Sequence, residues 1–153
     1  MKNGEVDPEN VELRGLIALL RDKSRQFTLL PGSVGEVDVY FLFSALADSR
    51  SQGSLSVYSG MTGAEELPAA IDDQISWFFL HSLGRIFVAS GDLSVGFFLD
   101  DPNEILCVFG TPEYLQSAVP YPKWLAQSRF VNCADDPEES GWPGTLWSDL
   151  LGG

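Results

Sequence analysis

Histidine, cysteine and, over most of the length, basic residues are scarce in this 153-residue chain: one His, two Cys, and nine Lys and Arg against 22 Asp and Glu. Each scarcity argues against a class of function. With His81 as the only imidazole and Cys107 and Cys133 as the only thiols, no metal pattern and no disulfide framework can be drawn. Both cysteines read as small residues packed in a reducing cytoplasm. Beyond residue 25 the chain holds 17 acidic side chains and only Arg50, Arg85, Lys123 and Arg129, which accounts for the whole net charge of −13; the first 25 residues carry five of each sign and cancel. Binding nucleic acid through its phosphates needs clustered Lys and Arg, so that function is disfavoured. Attraction to an anionic membrane surface is disfavoured for the same reason. No run of about 18 apolar residues occurs, so no membrane span is expected. The opening MKNGEVDPENVE has no apolar core of the kind a secretory signal needs, and the location is read as cytoplasmic.

Signatures of catalysis and of cofactor binding are equally thin. There is no Gly-x-Ser-x-Gly elbow, no dinucleotide glycine fingerprint, no HExxH and no CxxC, and neither cofactor nor metal is expected. Ser59–Gly63 has two glycines but no Gly-Lys-Ser/Thr ending. The carboxylate pairs Glu65-Glu66, Asp72-Asp73, Asp100-Asp101 and Asp135-Asp136 are adjacent in sequence, and neighbours on a helix or strand do not face each other as an acid/base dyad must. Asp100–Glu104 lacks the alternating ligands and central Gly of a calcium loop. A lone His81 on a largely apolar helix is a packing residue before it is a base, and a Cys107–His81 pair is not demanded by any spacing. The chain is therefore not expected to be an enzyme.

What is present is a strong β pattern. With 44% apolar residues and 153 in all, the chain has the size and content of one domain with a real core. Arg85–Gly110, RIFVASGDLSVGFFLDDPNEILCVFG, reads as three strands joined by two turns. A two-residue loop at Gly91-Asp92 would pair Val88 with Val95 and Ile86 with Phe97. A five-residue turn at Asp100–Glu104 would pair Leu99 with Ile105 and Phe97 with Cys107. On that register Ile86, Val88, Val95, Phe97, Leu99, Ile105, Cys107 and Phe109 share one face, and Phe87, Gly96, Phe98, Leu106 and Val108 the other.

Around this meander the other elements fall into place. Asp7-Pro8 opens a helix with Leu13, Leu16, Ile17 and Leu20 on one stripe and Arg21, Lys23 and Arg25 at its C-terminal end, where cations suit the dipole. Gln26–Leu30 and Leu55–Tyr58 read as strands, as does Glu36–Leu46, whose Val37, Val39, Phe41 and Phe43 alternate. Pro68–Leu83 reads as a second helix with Ile71, Ile75, Phe78 and Phe79 inward and Trp77 and Leu80 widening that face. Thr111-Pro112-Glu113 starts a third, short helix, and Arg129–Cys133 a last strand. Residues 134–153 form an acidic tail with Trp142 and Trp147.

The expected fold is α+β: a mostly antiparallel twisted sheet of five to seven strands with two main helices on one side, in a single domain. The meander Ile86–Phe109, the FGTPEYL of Phe109–Leu115 leading into a short helix, and the acidic Trp-containing tail together resemble the small acidic immunity proteins that neutralise bacterial toxins. The resemblance implies inhibition by covering a basic toxin's active cleft, with carboxylates set against its Lys and Arg. Charge alone supplies the candidate contacts: Asp72, Asp73, Asp100, Asp101, Asp135, Asp136, Glu138 and Glu139, with Trp142 and Trp147 as aromatic anchors. A basic protein is thus the expected partner. A secretion chaperone, which would need an apolar groove and a dimer, and an enzyme using His81 or Cys107 are the alternatives.

Overall fold

A computed structural model describes residues 12–31, 35–49, 55–64, 66–82, 84–90, 92–100 and 105–120. In chain order these form α1 (Leu13–Asp22), β1 (Gln26–Pro31), α2 (Glu36–Ser49), β2 (Leu55–Ser59), β3 (Gly63–Ala64), α3 (Ile71–His81), β4 (Ile86–Ser90), β5 (Val95–Asp100), β6 (Ile105–Gly110) and α4 (Pro112–Ala118). The six strands make one sheet in the order β1-β6-β5-β4-β2-β3, and every pairing is antiparallel. The α+β class, the antiparallel sheet and the central meander agree with the sequence.

Every residue of β4, β5 and β6 is buried. A strand buried on both faces needs cover on both, so the helices divide. On one face Leu13, Leu16, Ile17 and Leu20 of α1 pack against Leu29, Phe87, Ala89, Phe98, Ile105, Cys107 and Phe109. On the other, α2, α3 and α4 contribute Val39, Leu42, Phe43, Leu46, Trp77, Phe78, Tyr114 and Ala118 over Ile86, Val88, Val95, Phe97, Leu99, Leu106 and Val108. Phe43 meets Phe78 and Phe97 edge to face and those two rings tilt against each other, with centroids 5.5–6.5 Å apart, closing this second core. Each fully buried Leu or Phe contributes roughly 1.5–3 kcal/mol by leaving water. The helices therefore lie on both sides of the sheet, not on one.

Two local expectations are corrected. Glu36–Leu46 is not a strand but most of helix α2. Its residues satisfy two periods: Val37, Val39, Phe41 and Phe43 alternate, while Val39, Leu42, Phe43 and Leu46 recur at helical spacing, and it is the second set that is buried. The acidic first turn helps, with Asp38 Oδ2 accepting from the Gly35 amide at 3.1 Å. The second correction is the register. Asp100 belongs to β5 and pairs with Ile105, so the connection is four residues and not five. That one-residue difference moves Ile105, Cys107 and Phe109 to the α1 side and Leu106 and Val108 to the other. In the first hairpin Val88 pairs with Phe97 and Ala89 with Gly96, a shift of two that leaves the faces unchanged.

The helix ends follow local chemistry. Thr111 caps α4 with its Oγ1 accepting from the Tyr114 amide, and Pro112 occupies the first helical position, as the sequence implied. Helix α1 closes with Ser24 at φ 59°, the Ser24 amide donating to the Arg21 carbonyl and the Arg25 amide to the Leu20 carbonyl. The proposed start at Asp7-Pro8 lies outside the described residues. Ile71, not Pro68, opens α3; Phe79 is exposed instead of lying on its inward face, and Leu80 points outward instead of widening that face.

Gly96 holds the middle of the sheet together by having no side chain. Its φ is 157°, and a Cβ there would lie 2.6 Å from both the Ala89 Cβ and the Val88 carbonyl oxygen. Backbone occupies that space, so little can move aside. Gly96→Ala is expected to destabilise the domain by about 1–3 kcal/mol, read as a lower urea midpoint with an unchanged slope. A midpoint equal to the parent's would show that β4 and β5 do not approach this closely.

Candidate functional site

Of the ten candidate contacts, Asp72, Asp73 and Asp100 lie among the described residues; Asp101, Asp135, Asp136, Glu138, Glu139, Trp142 and Trp147 lie outside them, as do Cys133 and the strand expected at Arg129–Cys133. Asp72 and Asp73 stand exposed in the first turn of α3, where the helix dipole favours negative charge. Asp100 is different. It is 5% exposed, at the end of β5, and its position two residues after Phe98 puts it on the α1 side of the sheet. The β4–β5 register, carried one pair outward from Ile86 and Leu99, brings Arg85 opposite it. Asp72-Asp73 and Asp100 are therefore on opposite sides of the sheet and cannot meet one flat partner surface together.

The wider charge pattern is what the sequence alone did not expose. Helices α2 and α4 and the segment 66–82 that holds α3 carry Glu36, Asp38, Asp48, Glu66, Asp72, Asp73 and Glu113, and no Lys or Arg at all. Among the described residues the cations are Arg14, Arg21, Lys23 and Arg25, on α1 and the turn after it, plus Arg85. The sheet thus divides a layer bearing only carboxylates from a layer bearing most of the positive charge. No single stretch of sequence shows this, because the acidic layer is assembled from three separated segments.

The cations near α1 are occupied structurally. Arg25 reaches the β4–β5 turn, donating to the Asp92 carbonyl from Nε and Nη2 at 3.3 and 3.2 Å, with Nη2 3.7 Å from Asp92 Oδ2. The Arg21 guanidinium lies 5.7 Å from the Phe27 ring centroid. In the turn, Ser90 Oγ donates to Asp92 Oδ1 at 2.9 Å and accepts from the Ser94 and Val95 amides, while Asp92 Oδ1 accepts from the Ser94 amide. Leu93 sits at φ 60° with its side chain buried in the α1-side core. Its left-handed backbone costs roughly 1–2 kcal/mol, comparable to what burying the side chain contributes. Ser90 and Asp92 thus serve the turn. The hydrogen bonds from Ser94 and Ser90, helped by Arg25, hold the Asp92 carboxyl down to about 2.

The catalytic candidates are separated by the sheet. Cys107 belongs to the α1-side core, whereas His81 is on α3, which packs on the opposite face. The His81 ring stacks on Trp77 with centroids 4.9 Å apart, and its Nδ1 donates to the Trp77 carbonyl at 2.7 Å. Burial alone pushes the Cys107 thiol far above its usual range, so it stays protonated. Burial likewise raises the Tyr114 phenol; the Gly96 backbone offsets part of this without reaching hydrogen-bond geometry. Among the described residues no group of three or more His, Cys, Asp or Glu could hold a metal ion, and no helix is long and apolar enough to cross a membrane. Comparison with known protein families, with curated proteins and with solved structures finds no match to this chain.

Two outcomes follow. Because the folded Asp92 carboxyl is depressed, its contribution to stability is present above its ordinary value of 3.8 and is lost as pH falls toward about 2. Asp92→Asn should therefore lower stability near neutral pH by less than about 1 kcal/mol, as expected for an exposed pair, with the difference vanishing at the acid end of a denaturation series. In a Cys133→Ser background, the Cys107 thiol should react with an aromatic disulfide reagent only as fast as the protein unfolds. Rapid labelling of the native state would contradict its burial.

Proposed function

We propose that the chain is an acidic protein-binding protein of the immunity type, which neutralises a basic toxin by covering its active site. The observation that carries this reading is the acidic layer: among the described residues, α2, the 66–82 segment and α4 bear seven carboxylates and no Lys or Arg. A field of one sign over a whole face attracts a basic partner from a distance, raises its association rate and repels acidic competitors. An ordinary acidic surface made only for solubility has cations interspersed. The resemblance of the meander and FGTPEYL segment to immunity proteins supports the same reading.

The test begins with the product of the neighbouring gene, examined for toxicity and for rescue by this protein. Rescue is expected, with binding that weakens as salt rises. Asp72→Lys with Asp73→Lys, and separately charge reversal of the 135–139 run, should each weaken binding by about tenfold or more and reduce its salt dependence. Affinity and salt dependence unchanged in both would sink the proposal. A secretion chaperone is the second reading, favoured by the outward-facing Val37 and Leu80. It requires a dimer, so a strictly monomeric protein in sedimentation would remove it.

A further inference from the structure

Resting on that reading, we infer that the outward faces of α2 and α3 form a docking surface for a basic amphipathic segment of a protein. The exposed residues of α3 are Asp72, Asp73, Ser76, Phe79 and Leu80, which recur at helical spacing as one stripe. Those of α2 are Glu36, Val37, Tyr40, Ala47 and Asp48. The edge-to-face contact of Phe43 with Phe78, centroids 6.5 Å apart, fastens the two helices side by side. Each stripe combines carboxylates with large apolar side chains.

The apolar component is unusual in its concentration. Val37 is 67% exposed, Tyr40 45%, Phe79 38% and Leu80 70%, and of the large hydrophobic side chains exposed among the described residues only Met61 lies elsewhere. Even Met61 is close by: its Cγ would be 3.5 Å from a Cβ on Gly84, just past the end of α3. A single exposed Leu needs no explanation, but a group confined to two adjacent helices does. The helix dipole accounts for Asp72 and Asp73 at the start of α3; it does not account for Leu80, nor for the lack of any cation on α2 and α3.

Charge decides between occupants. A second copy docking through the same face about a two-fold axis would set carboxylates against carboxylates. An anionic bilayer or a nucleic acid would meet two helices that carry no Lys or Arg to receive it. A segment carrying Lys or Arg on one part of its face and Leu, Ile or Phe on another satisfies both components. Asp72 and Leu80 are eight residues apart, roughly 12 Å along the helix, so the partner's cations and apolar anchors should be separated by about two helical turns.

The experiment uses the full chain and a synthetic helical peptide of about 15 residues with Lys and Leu on one face at that separation, compared with a shuffled peptide of the same composition and a Glu-for-Lys version. Calorimetric titration should show binding of the first peptide only. Val37→Ser with Leu80→Ser should weaken it roughly tenfold at low and high salt alike, while Asp72→Asn with Asp73→Asn should weaken it at low salt only. The four positions are exposed, and thermal midpoints within the parent's range keep the comparison valid. Equal binding of the shuffled peptide, or apolar variants that bind as the parent does, would overturn the inference and leave a diffuse field. So would a parent that dimerises through Leu80 in sedimentation, since a second copy would then be the occupant. Toxin rescue that survives the Val37 and Leu80 changes and is lost on altering the 135–139 run would move the contact elsewhere while keeping the binding function. Absence of any basic partner would end both.

Discussion

The structure depends on the burial of both faces of β4, β5 and β6. Besides Cys107, their 17 residues carry only two polar side chains, Ser90 and Asp100, and cannot leave either face to water, because each exposed Val, Phe or Leu would forgo about 1.5–3 kcal/mol. One helical layer would cover only half of them. The chain meets this by placing α1 ahead of the sheet on one side and returning through α2, α3 and α4 on the other. Strand β1 then adds to the outer edge of β6, tying the first helix to the last strand of the meander. Gly96 sits in the same core, where at φ 157° a Cβ would run into Ala89 and the Val88 carbonyl, so the position takes only glycine.

A sheet covered on two sides also separates charge. The cations at the end of α1 satisfy the helix terminus, the Phe27 ring and the Asp92 turn, so they serve the fold. The opposite layer gathers carboxylates from residues 36–48, 66–73 and 113, far apart in the chain, and its described helices carry no Lys or Arg. Like charges gathered on one face repel one another, a cost to stability that a bound basic partner would relieve. The same arrangement sets Cys107 and His81 on opposite faces of the sheet, so these two do not form a nucleophile–base pair.

Where the sequence was misread, two structures fitted the same local pattern. Glu36–Leu46 satisfies alternation at Val37, Val39, Phe41 and Phe43 and helical spacing at Val39, Leu42, Phe43 and Leu46. Only the need to cover Phe97 and Val88 from above selects the helix. The Asp100 turn is a finer case, since a turn-rich DDPNE run does not say whether its first Asp is the last strand residue or the first loop residue. Its pairing with Ile105 reverses every side chain of β6, and because both faces of β6 are apolar, hydrophobicity gave no warning. Counting charge alone places Asp100 on the surface, whereas the structure buries it.

The sequence by itself determined the α+β class, the meander, the Thr111-Pro112 helix start and the deficit of cations, since each rests on local propensity, capping chemistry or counting. Tertiary structure alone decided which face each strand presents, that α2 is a helix, and that Asp72 and Asp73 stand apart from Asp100. It also gathered the acidic residues into one layer beside Val37, Tyr40, Phe79 and Leu80. The physical reason is common to all of these. A residue's face and neighbours are set by burial against segments distant in the chain, and no local pattern encodes which segments those will be.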